Sequence, residues 1–450
     1  MHIHVLGICG TFMGGLALLA RELGHRVTGT DAAAYPPMSE LLASAGIEVE
    51  RGYDGEPPAS PPDCTVIGNA LSRGNPMVER LLNDDLAYTS GPQWLAEQVL
   101  RKREVITVAG THGKTTTASM CAWILDRAGH RPGYLIGGAP AWTDQSARLG
   151  AGGPFVVEGD EYDTAFFDKR AKLVHYRPRI LLLNNLEYDH ADIYPDLDAI
   201  ATQIHHAVRT VPAAGRIIVN GDDANLEAVL RRGCWTPVER VGAAPENDWR
   251  YAVEGGAPVL YRHGRRLGTL RPPLPGRHNL ANAAGAVAAA AAVGADPEQA
   301  LEAIGSFPGV RRRLEHRGEV AGITVLDDFA HHPTAVAVTL EALRDTPGRL
   351  LAVLEPRSNT MRLGVHRDRL AGSLRQADLI FALETAGDGW SVAEALRPLG
   401  GRATVFRQTG EIVDAVCAAA RAGDRIVVMS NGSFDGIHER LLARLAEVAA

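Results

Sequence analysis

Short, unbroken apolar runs, each closed by a glycine or a polar cluster, recur along the chain and set its organisation. Ile3–Leu6 ends in Gly7, a helical stretch covers Leu16–Leu23, and Arg26–Thr30 then ends at Asp31. This order of strand, glycine turn, helix, strand and acid predicts a Rossmann-like half. Further strands are predicted at Thr65–Gly68 and near Ala87–Thr89, with a charged helix tail over Glu97–Glu104 leading out. A second block opens on Val105–Ala109. It continues as a helix from Thr115 to Ala128, with Ala118, Cys121, Leu125 and Ala128 on one face, and adds strands at Phe155–Val157, Ile180–Leu183 and Ile217–Val219. Runs that are apolar at every position suit parallel strands covered on both faces. Residues 236–275 read as short strands and turns ahead of a helix starting near Asn279. The third block begins around Arg311–Arg313 and carries strands at Ile323–Leu326, Leu350–Leu354, Leu379–Leu383 and Ile426–Met429, each followed by a helical pattern. That is a second Rossmann-like sheet.

Composition narrows the class. A chain of 450 residues needs more than one core, and 46% hydrophobic with 22% charged residues is a globular balance. A net charge of −7 argues against a general affinity for nucleic acid or acidic membranes. Five scattered cysteines without CxxC spacing fit a reducing compartment better than a disulfide framework or a zinc site. With no signal peptide or spanning segment in the pattern, a cytoplasmic protein is expected, a monomer or weak homo-oligomer without a nucleic-acid or membrane partner. Basic residues are nearly all arginine; the lysines are Lys102, Lys114, Lys169 and Lys172.

The strongest chemical signal follows Val105–Ala109 directly: Gly110-Thr-His-Gly-Lys-Thr-Thr116. Glycines let backbone amides curl around phosphate oxygens at a helix start. Lys114 then reaches the β- and γ-phosphates, and the Thr115 hydroxyl can hold Mg2+. The usual first glycine is Val108 here, so the pattern is incomplete. Four carboxylates (Glu158, Asp160, Glu161 and Asp163) leave the end of a buried strand, a placement suited to Mg2+ near ATP phosphates or to a solvated acidic turn. Leu181–Asp192 repeats the arrangement, with His190 beside Glu187, Asp189 and Asp192. Asn279 and Asn282 share a helix face and suit a purine or a phosphate-bound group, or Asn279 simply caps the helix. Arg311–Arg313 suit a phosphate or an exposed linker. Asp327-Asp-Phe-Ala-His-His-Pro333 suits a metal, a ribose or a substrate. Gly7, Gly10, Gly14 and Gly15 miss the dinucleotide fingerprint, yet still suggest a helix start offered to a pyrophosphate.

Taken together, these runs resemble the Mur ligase family along essentially the whole chain. The resemblance implies an α/β fold in three domains: a UDP-sugar-binding Rossmann-like domain over residues 1–103, a central phosphate-loop ATPase with a mostly parallel sheet over 104–309, and a peptide-binding Rossmann-like domain over 310–450. It implies ATP and Mg2+, with Lys114, Glu161, His190 and Arg313 as catalytic residues and Thr115, Glu161 and His190 at the metal. ATP contacts carry over to Gly110, Thr111, His112, Gly113, Lys114, Thr115, Thr116, Asn279, Asn282, Arg313 and Asp328. Substrate contacts carry over to Gly7, Gly10, Thr11, Gly14, Asp31, Asn69 and Arg73, and to His331, Arg357 and Asn359. The implied reaction joins UDP-N-acetylmuramate to an amine through an acyl phosphate. The runs Ile8–Gly15, Tyr35–Met38, Ser90–Trp94, Phe166–Arg170 and Glu355–Met361 resemble family members that take the murein tripeptide L-alanyl-γ-D-glutamyl-meso-diaminopimelate. L-Alanine is the alternative amine. A phosphate-loop binding protein or switch is the alternative of another class, predicting hydrolysis indifferent to sugar. Lys114→Ala is expected to abolish ATP-dependent amide formation with little change in folding.

Overall fold

The computed structural model describes residues 1–34, 38–54, 61–143, 145–384 and 389–449. Tyr35–Pro37 of the Tyr35–Met38 run therefore lie outside the described residues. The chain forms two compact units: Met1–Tyr188 with Leu197–Pro273 and Leu280–Pro308, and Asp189–Asp196 with Leu274–Asn279 and Gly309–Ala450. The first two expected blocks share one unit. Asp189–Asp196 and Leu274–Asn279, which lie inside the second block in sequence, belong to the other. Among the described residues no helix is long and apolar enough to cross a membrane.

The first unit opens on five parallel strands, β1 (His2–Leu6), β2 (Arg26–Asp31), β3 (Glu48–Arg51), β4 (Cys64–Ile67) and β5 (Tyr88–Ser90), in the order β3-β2-β1-β4-β5. The strand order reverses beside β1, so the loops after β1 and β4 flank a crevice at their carboxyl ends. The helix after β1 runs Thr11–Glu22, starting a turn before the apolar pattern suggests. Gly14 and Gly15 thus lie within it, and packing explains them. A Cβ on Gly14 would come 2.4 Å from the Met38 sulfur, and one on Gly15 would come 2.4 Å from Leu135 Cδ1. Close approach, rather than a loop, is what these two glycines permit.

The same unit holds a ten-stranded sheet built from β6 (Glu104–Ala109), β7 (Gly133–Leu135), β8 (Ala147–Arg148), β9 (Pro154–Gly159), β12 (Ile180–Leu183), β13 (Arg216–Asn220), β14 (Val238–Gly242), β15 (Trp249–Glu254), β16 (Ala257–Arg262) and β17 (Arg265–Thr269). Between β9 and β12 in sequence, β10 (Asp163–Ala165) and β11 (Asp168–Ala171) pair as a separate antiparallel hairpin. The sheet order is β17-β16-β15-β14-β13-β12-β6-β9-β7-β8, parallel from β15 to β7 with antiparallel strands at both edges. Central strands are buried at nearly every position, as their unbroken apolar runs require. Register matters most at the middle. Ala109 of β6 pairs with Gly159 of β9 on one side and Leu183 of β12 on the other, so three strands end level on one edge.

The second unit contains β18 (Glu315–Val320), β19 (Ile323–Asp328), β20 (Leu350–Leu354), β21 (Leu379–Leu383), β22 (Ala403–Phe406) and β23 (Arg425–Met429), ordered β18-β19-β23-β20-β21-β22. Only β18 runs antiparallel. Asp328 and Leu354 both pair with Met429, which again levels three strand ends. Apolar clusters cover both faces, one around Val336, Leu340 and Leu370, the other around Ile412, Val416 and Leu441.

The β10–β11 hairpin carries Phe166 at its tip, and that ring packs on the apolar cluster Leu6, Ile67, Leu71, Met77, Val78 and Leu81 beneath the five-stranded sheet. Phe167 meets the Tyr88 ring edge-on at 5.2 Å. Phe166→Ala should therefore cost about 1–3 kcal/mol of stability in denaturant unfolding. A change under about 0.5 kcal/mol, the scale of a neutral surface substitution, would show that the hairpin tip contributes no packing.

Candidate active site

The level ends of β9, β6 and β12 deliver three chemically active loops to one place. From β6 comes the glycine-rich turn. Val108, where a fuller phosphate-loop pattern has glycine, lies inside β6 and is fully buried, so the turn proper begins at Gly110. Gly110 has φ +135°, and a Cβ there would lie 2.9 Å from the Asn185 carbonyl oxygen. Gly113 has φ +78° and immediately precedes the helix Lys114–Arg127; its Cβ would lie 2.5 Å from Asn282 Oδ1. Only glycine suits either position.

The β12 loop clamps that turn. Asn185 Oδ1 accepts from the His112 amide at 2.7 Å, while its Nδ2 donates to the His112 carbonyl at 3.0 Å. The Thr111 amide donates to the Asn185 carbonyl at 3.1 Å, and the Thr111 hydroxyl accepts from the Glu187 amide at 2.9 Å. Asn184 Nδ2 reaches Thr117 Oγ1 at 2.9 Å, inside the helix. Asn184 and Asn185 stood in the polar run after β12 but were not singled out from sequence. Their signal is amide side chains that satisfy backbone groups of a neighbouring turn, which spacing along one chain does not reveal.

The β9 loop supplies charge. The Lys114 ammonium lies 2.5 Å from Glu161 Oε2, with side chains 10% and 1% exposed, and 3.9 Å from Asp160 Oδ1. Burial works against its positive charge, but Glu161, Asp160 and Glu158 outweigh it and hold the ammonium above its ordinary range. The Thr115 hydroxyl meets the Glu158 carboxylate at 2.9 and 3.1 Å, and the Gly137 amide donates to the same carboxylate at 2.7 Å. Burial first, then neighbouring Asp160, pushes the Glu158 carboxyl above the usual carboxylate range despite Lys114. Thr115 and Glu158 together offer a hydroxyl and two carboxylate oxygens, a hard donor set that fits Mg2+. Thus Glu158 faces Thr115, whereas Glu161 faces Lys114.

Around the glycine turn after β1, Asp31 accepts from the Cys9 amide at 2.8 Å and the Ala33 amide at 2.9 Å. Gly7 has φ +76°, Gly10 caps the first helix and Thr11 begins it. Asn69 sits in the loop after β4. Arg73 projects to solvent and is paired with Glu79 at 2.9 and 3.0 Å. Asn282 stands against Gly113, as noted.

In the second unit, Asn279 lies within the helix Arg277–Ala292 and donates to the Pro275 carbonyl at 2.8 Å, so it is not the helix cap. His190 has φ +55°, and its amide donates to Asp189 Oδ1 at 2.7 Å. Burial opposes charge on Asp189, but His190, the Thr360 hydroxyl and His331 hold its carboxyl well below the usual range. Thr360 binds Asp189 at 2.7 Å, and Asn359 donates to Asp192 at 2.8 Å. Within the arginine cluster, Arg312 is occupied by the Ser430 and Gly432 carbonyls at 2.7 and 2.8 Å. Arg313 lies over the Phe329 ring at 5.0 Å and lowers the Asp328 carboxyl, which burial raises more. Asp328 also accepts from the Leu314 and Ala330 amides at 2.8 Å each. His331 Nδ1 contacts the Phe329 carbonyl at 2.9 Å, while His332 caps the helix Pro333–Arg344. The level ends of β20 and β23 set Arg357 beside Gly432, whose Cβ would overlap the guanidinium at 2.3 Å.

A glycine turn at a helix start, clamped by polar strand-end loops and with a second Rossmann-like sheet following in the chain, is the arrangement of a multidomain ATP-driven enzyme. Residues 2–103 match the Mur ligase family catalytic domain, 108–290 the Mur ligase middle domain and 312–432 the Mur ligase glutamate ligase domain. The chain belongs to the Mur ligase family. It is 52% identical over 455 residues to the UDP-N-acetylmuramate–L-alanyl-γ-D-glutamyl-meso-2,6-diaminoheptandioate ligase of Escherichia coli K12, covering 100% of this chain and 99% of that protein. It is 34% identical to the UDP-N-acetylmuramate–L-alanine ligase of Solibacter usitatus, covering 99% and 95%. The crystal structure of a murein peptide ligase from Psychrobacter arcticus matches with a TM-score of 0.78 at 46% identity over 100% of both chains.

The buried pairing of Lys114 with Glu161 alters the expectation that removing the lysine leaves folding unchanged. Lys114→Met leaves a carboxylate uncompensated and should cost about 3 kcal/mol or more, with Glu161→Gln in the same chain restoring most of it. Equal denaturation midpoints for the single and double variants would exclude this coupling. Glu158 carries the opposite sign. Its folded-state pKa lies above the unfolded value, so the ionised form is disfavoured by folding at neutral pH and the penalty fades as pH falls. Glu158→Gln should raise the thermal midpoint of the ligand-free protein at pH 7–8, with a smaller gain toward pH 5. A lower midpoint at neutral pH would contradict that sign.

Proposed function

We propose that the protein is an ATP-dependent amide-forming ligase that joins the tripeptide L-alanyl-γ-D-glutamyl-meso-diaminopimelate to UDP-N-acetylmuramate in the cytoplasm. The observation that carries the amine is full-length identity: 52% to the tripeptide-adding relative against 34% to the L-alanine-adding one. The observation that supports the chemistry is Lys114, buried at a helix start among carboxylates.

In this reading the turn Gly110–Thr116 holds the ATP phosphates, with Lys114 exchanging Glu161 for phosphate oxygens. A lactoyl carboxylate oxygen attacks the γ-phosphorus and ADP leaves, forming an acyl phosphate. The α-amine of the tripeptide attacks the acyl carbon, loses a proton, and inorganic phosphate departs as the amide forms. Thr115 and Glu158 would hold Mg2+, which supplies charge stabilisation at the transferring phosphoryl group. Glu161 keeps its assignment as a metal-positioning residue, and in the ligand-free protein its carboxylate pairs with Lys114. His190 retains its assignment as a metal-positioning residue. Arg313 and Asp328 are assigned to ATP, Asn279 and Asn282 to its nucleoside, and His331, Arg357 and Asn359 to the incoming peptide. Gly7, Gly10, Thr11, Gly14, Asp31 and Asn69 are assigned to the UDP-sugar. Arg73, held outward by Glu79, is a weaker candidate than Asn69 on the same loop.

ADP release measured with ATP, Mg2+ and UDP-N-acetylmuramate tests the proposal. Sustained turnover is expected on adding the tripeptide, and L-alanine at equal concentration should give under about a tenth of the rate, the discrimination of a single lost charged contact. Preference for L-alanine would reassign the amine. ADP release indifferent to the sugar would favour a nucleotide switch.

A further inference from the structure

Lys172 follows β11 directly and opens the short 3-10 turn Lys172–His175. Its side chain is 7% exposed, and its Nζ lies 3.5 Å from Asp160 Oδ2. The other oxygen of that carboxylate, Oδ1, lies 3.9 Å from Lys114 Nζ. One acid thus stands between two ammonium groups, one from the phosphate loop and one from outside it. The Lys172 ammonium also sits over two rings, Phe12 at 5.2 Å and Tyr162 at 5.6 Å. Phe12 belongs to the first turn of the helix after the β1 glycine turn. Lys172 is therefore a buried cation linking the start of that helix to the acids around Lys114.

Packing alone does not explain it. Burying an ammonium carries a desolvation cost of several kcal/mol that leucine or methionine would avoid. Its ion-pair distance of 3.5 Å exceeds the about 2.7–2.9 Å of a direct charge-assisted contact, so Asp160 is a loose partner that a better-placed anion could replace. The chain has 46 basic residues, only four of them lysine, and two of those four flank Asp160. A compact point charge, not a planar fork, is what these two positions hold. Asp160 itself is 35% exposed, far more than either lysine, so it is the member of the trio best able to turn into water.

We propose that Lys172 binds the carboxylate of the acyl substrate and that Asp160 is a placeholder anion displaced when that carboxylate enters. This rests on the reading of the protein as a UDP-N-acetylmuramate ligase. The carboxylate and the γ-phosphate repel as they approach, and each then has its own counter-charge, Lys172 for the first and Lys114 for the second. No covalent bond to Lys172 forms.

The test measures dissociation constants of UDP-N-acetylmuramate and UDP-N-acetylglucosamine, which lacks the lactoyl carboxylate, by calorimetry on the full chain. Lys172→Gln should weaken the first by about ten- to hundredfold and leave the second within twofold. The KM for UDP-N-acetylmuramate should rise similarly with the KM for ATP unchanged, and Lys172→Arg should recover part of the loss. Asp160→Asn should act in the opposite direction, tightening UDP-N-acetylmuramate alone. Equal weakening of both sugars by Lys172→Gln, or an unchanged ratio between them, overturns the proposal. A wild-type protein without preference for UDP-N-acetylmuramate would instead remove the functional reading on which it stands.

Discussion

The chemistry of this chain depends on the register of three parallel strands. Ala109 pairs with Gly159 and Leu183, so the loops leaving β6, β9 and β12 start at the same height. Gly159 is needed for that alignment, since a Cβ there would stand 2.7 Å from Thr107 Cγ2. A one-residue slip of β9 would send Glu158 to the opposite face of the sheet and remove it from Thr115. Hydrophobic burial fixes the register, because Val105, Ile106, Val108, Phe155, Val156, Val157, Leu181 and Leu182 of these strands are all buried. The polar site is therefore positioned by an apolar constraint, and its acids occupy places that only the strand ends make available.

That position concentrates charge to an unusual degree. Two lysines and three acids share one small region, and the acids are in excess; burial first, and then Asp160, raises the Glu158 carboxyl. Glu161 holds Lys114 at the helix start through a buried ion pair instead of letting a long side chain sample solvent. Such a pairing limits the entropy lost on binding, at the cost of a competition between Glu161 and phosphate. Asn185 does comparable work without charge, holding the His112 peptide by both its donor and its acceptor so that the turn is shaped in advance.

Much of this was legible in the sequence because it is local. The unbroken apolar runs identify the buried parallel strands, and the glycines with Gly-Lys-Thr identify the tight turn before the helix Lys114–Arg127 even with Val108 in an unexpected place. Full-length similarity then supports the family and three α/β domains. What was not legible is pairwise. Four carboxylates within six positions look equivalent along the chain, yet the turn of the backbone after β9 gives Glu158 to Thr115 and Glu161 to Lys114. Three consecutive arginines look interchangeable, and Arg312 and Arg313 both lie over Phe329, but Arg312 is consumed by the Ser430 and Gly432 carbonyls while Arg313 acts on the Asp328 carboxyl. Gly14 and Gly15 read as loop residues because glycine is usually a turn signal; here they thin a helix so that Met38 and Leu135 can approach. The hairpin β10–β11 escaped notice for a related reason. Its strands are too short to show alternation, and its role is visible only once Phe166 is seen on the cluster around Leu71.

The choice of amine has a different physical origin from the choice of nucleotide. Both candidate reactions use the same sugar and ATP, so nothing around Lys114 needs to differ between them. The difference must lie where the amine is held, and the level ends of β19, β23 and β20 are the equivalent edge in the second unit. There Gly432 gives up a side chain so that Arg357 can lie flat against its backbone, while Glu355 accepts from the Ser430 hydroxyl at 2.5 Å. L-Alanine presents one carboxylate next to its amine. The tripeptide adds carboxylates and an ammonium several bonds away, and a guanidinium, with its planar fork of donors, is the group suited to a carboxylate of that kind. Gly432 bears on Arg357 without carrying a functional group of its own: a Cβ at that position would come 2.3 Å from the guanidinium and displace it.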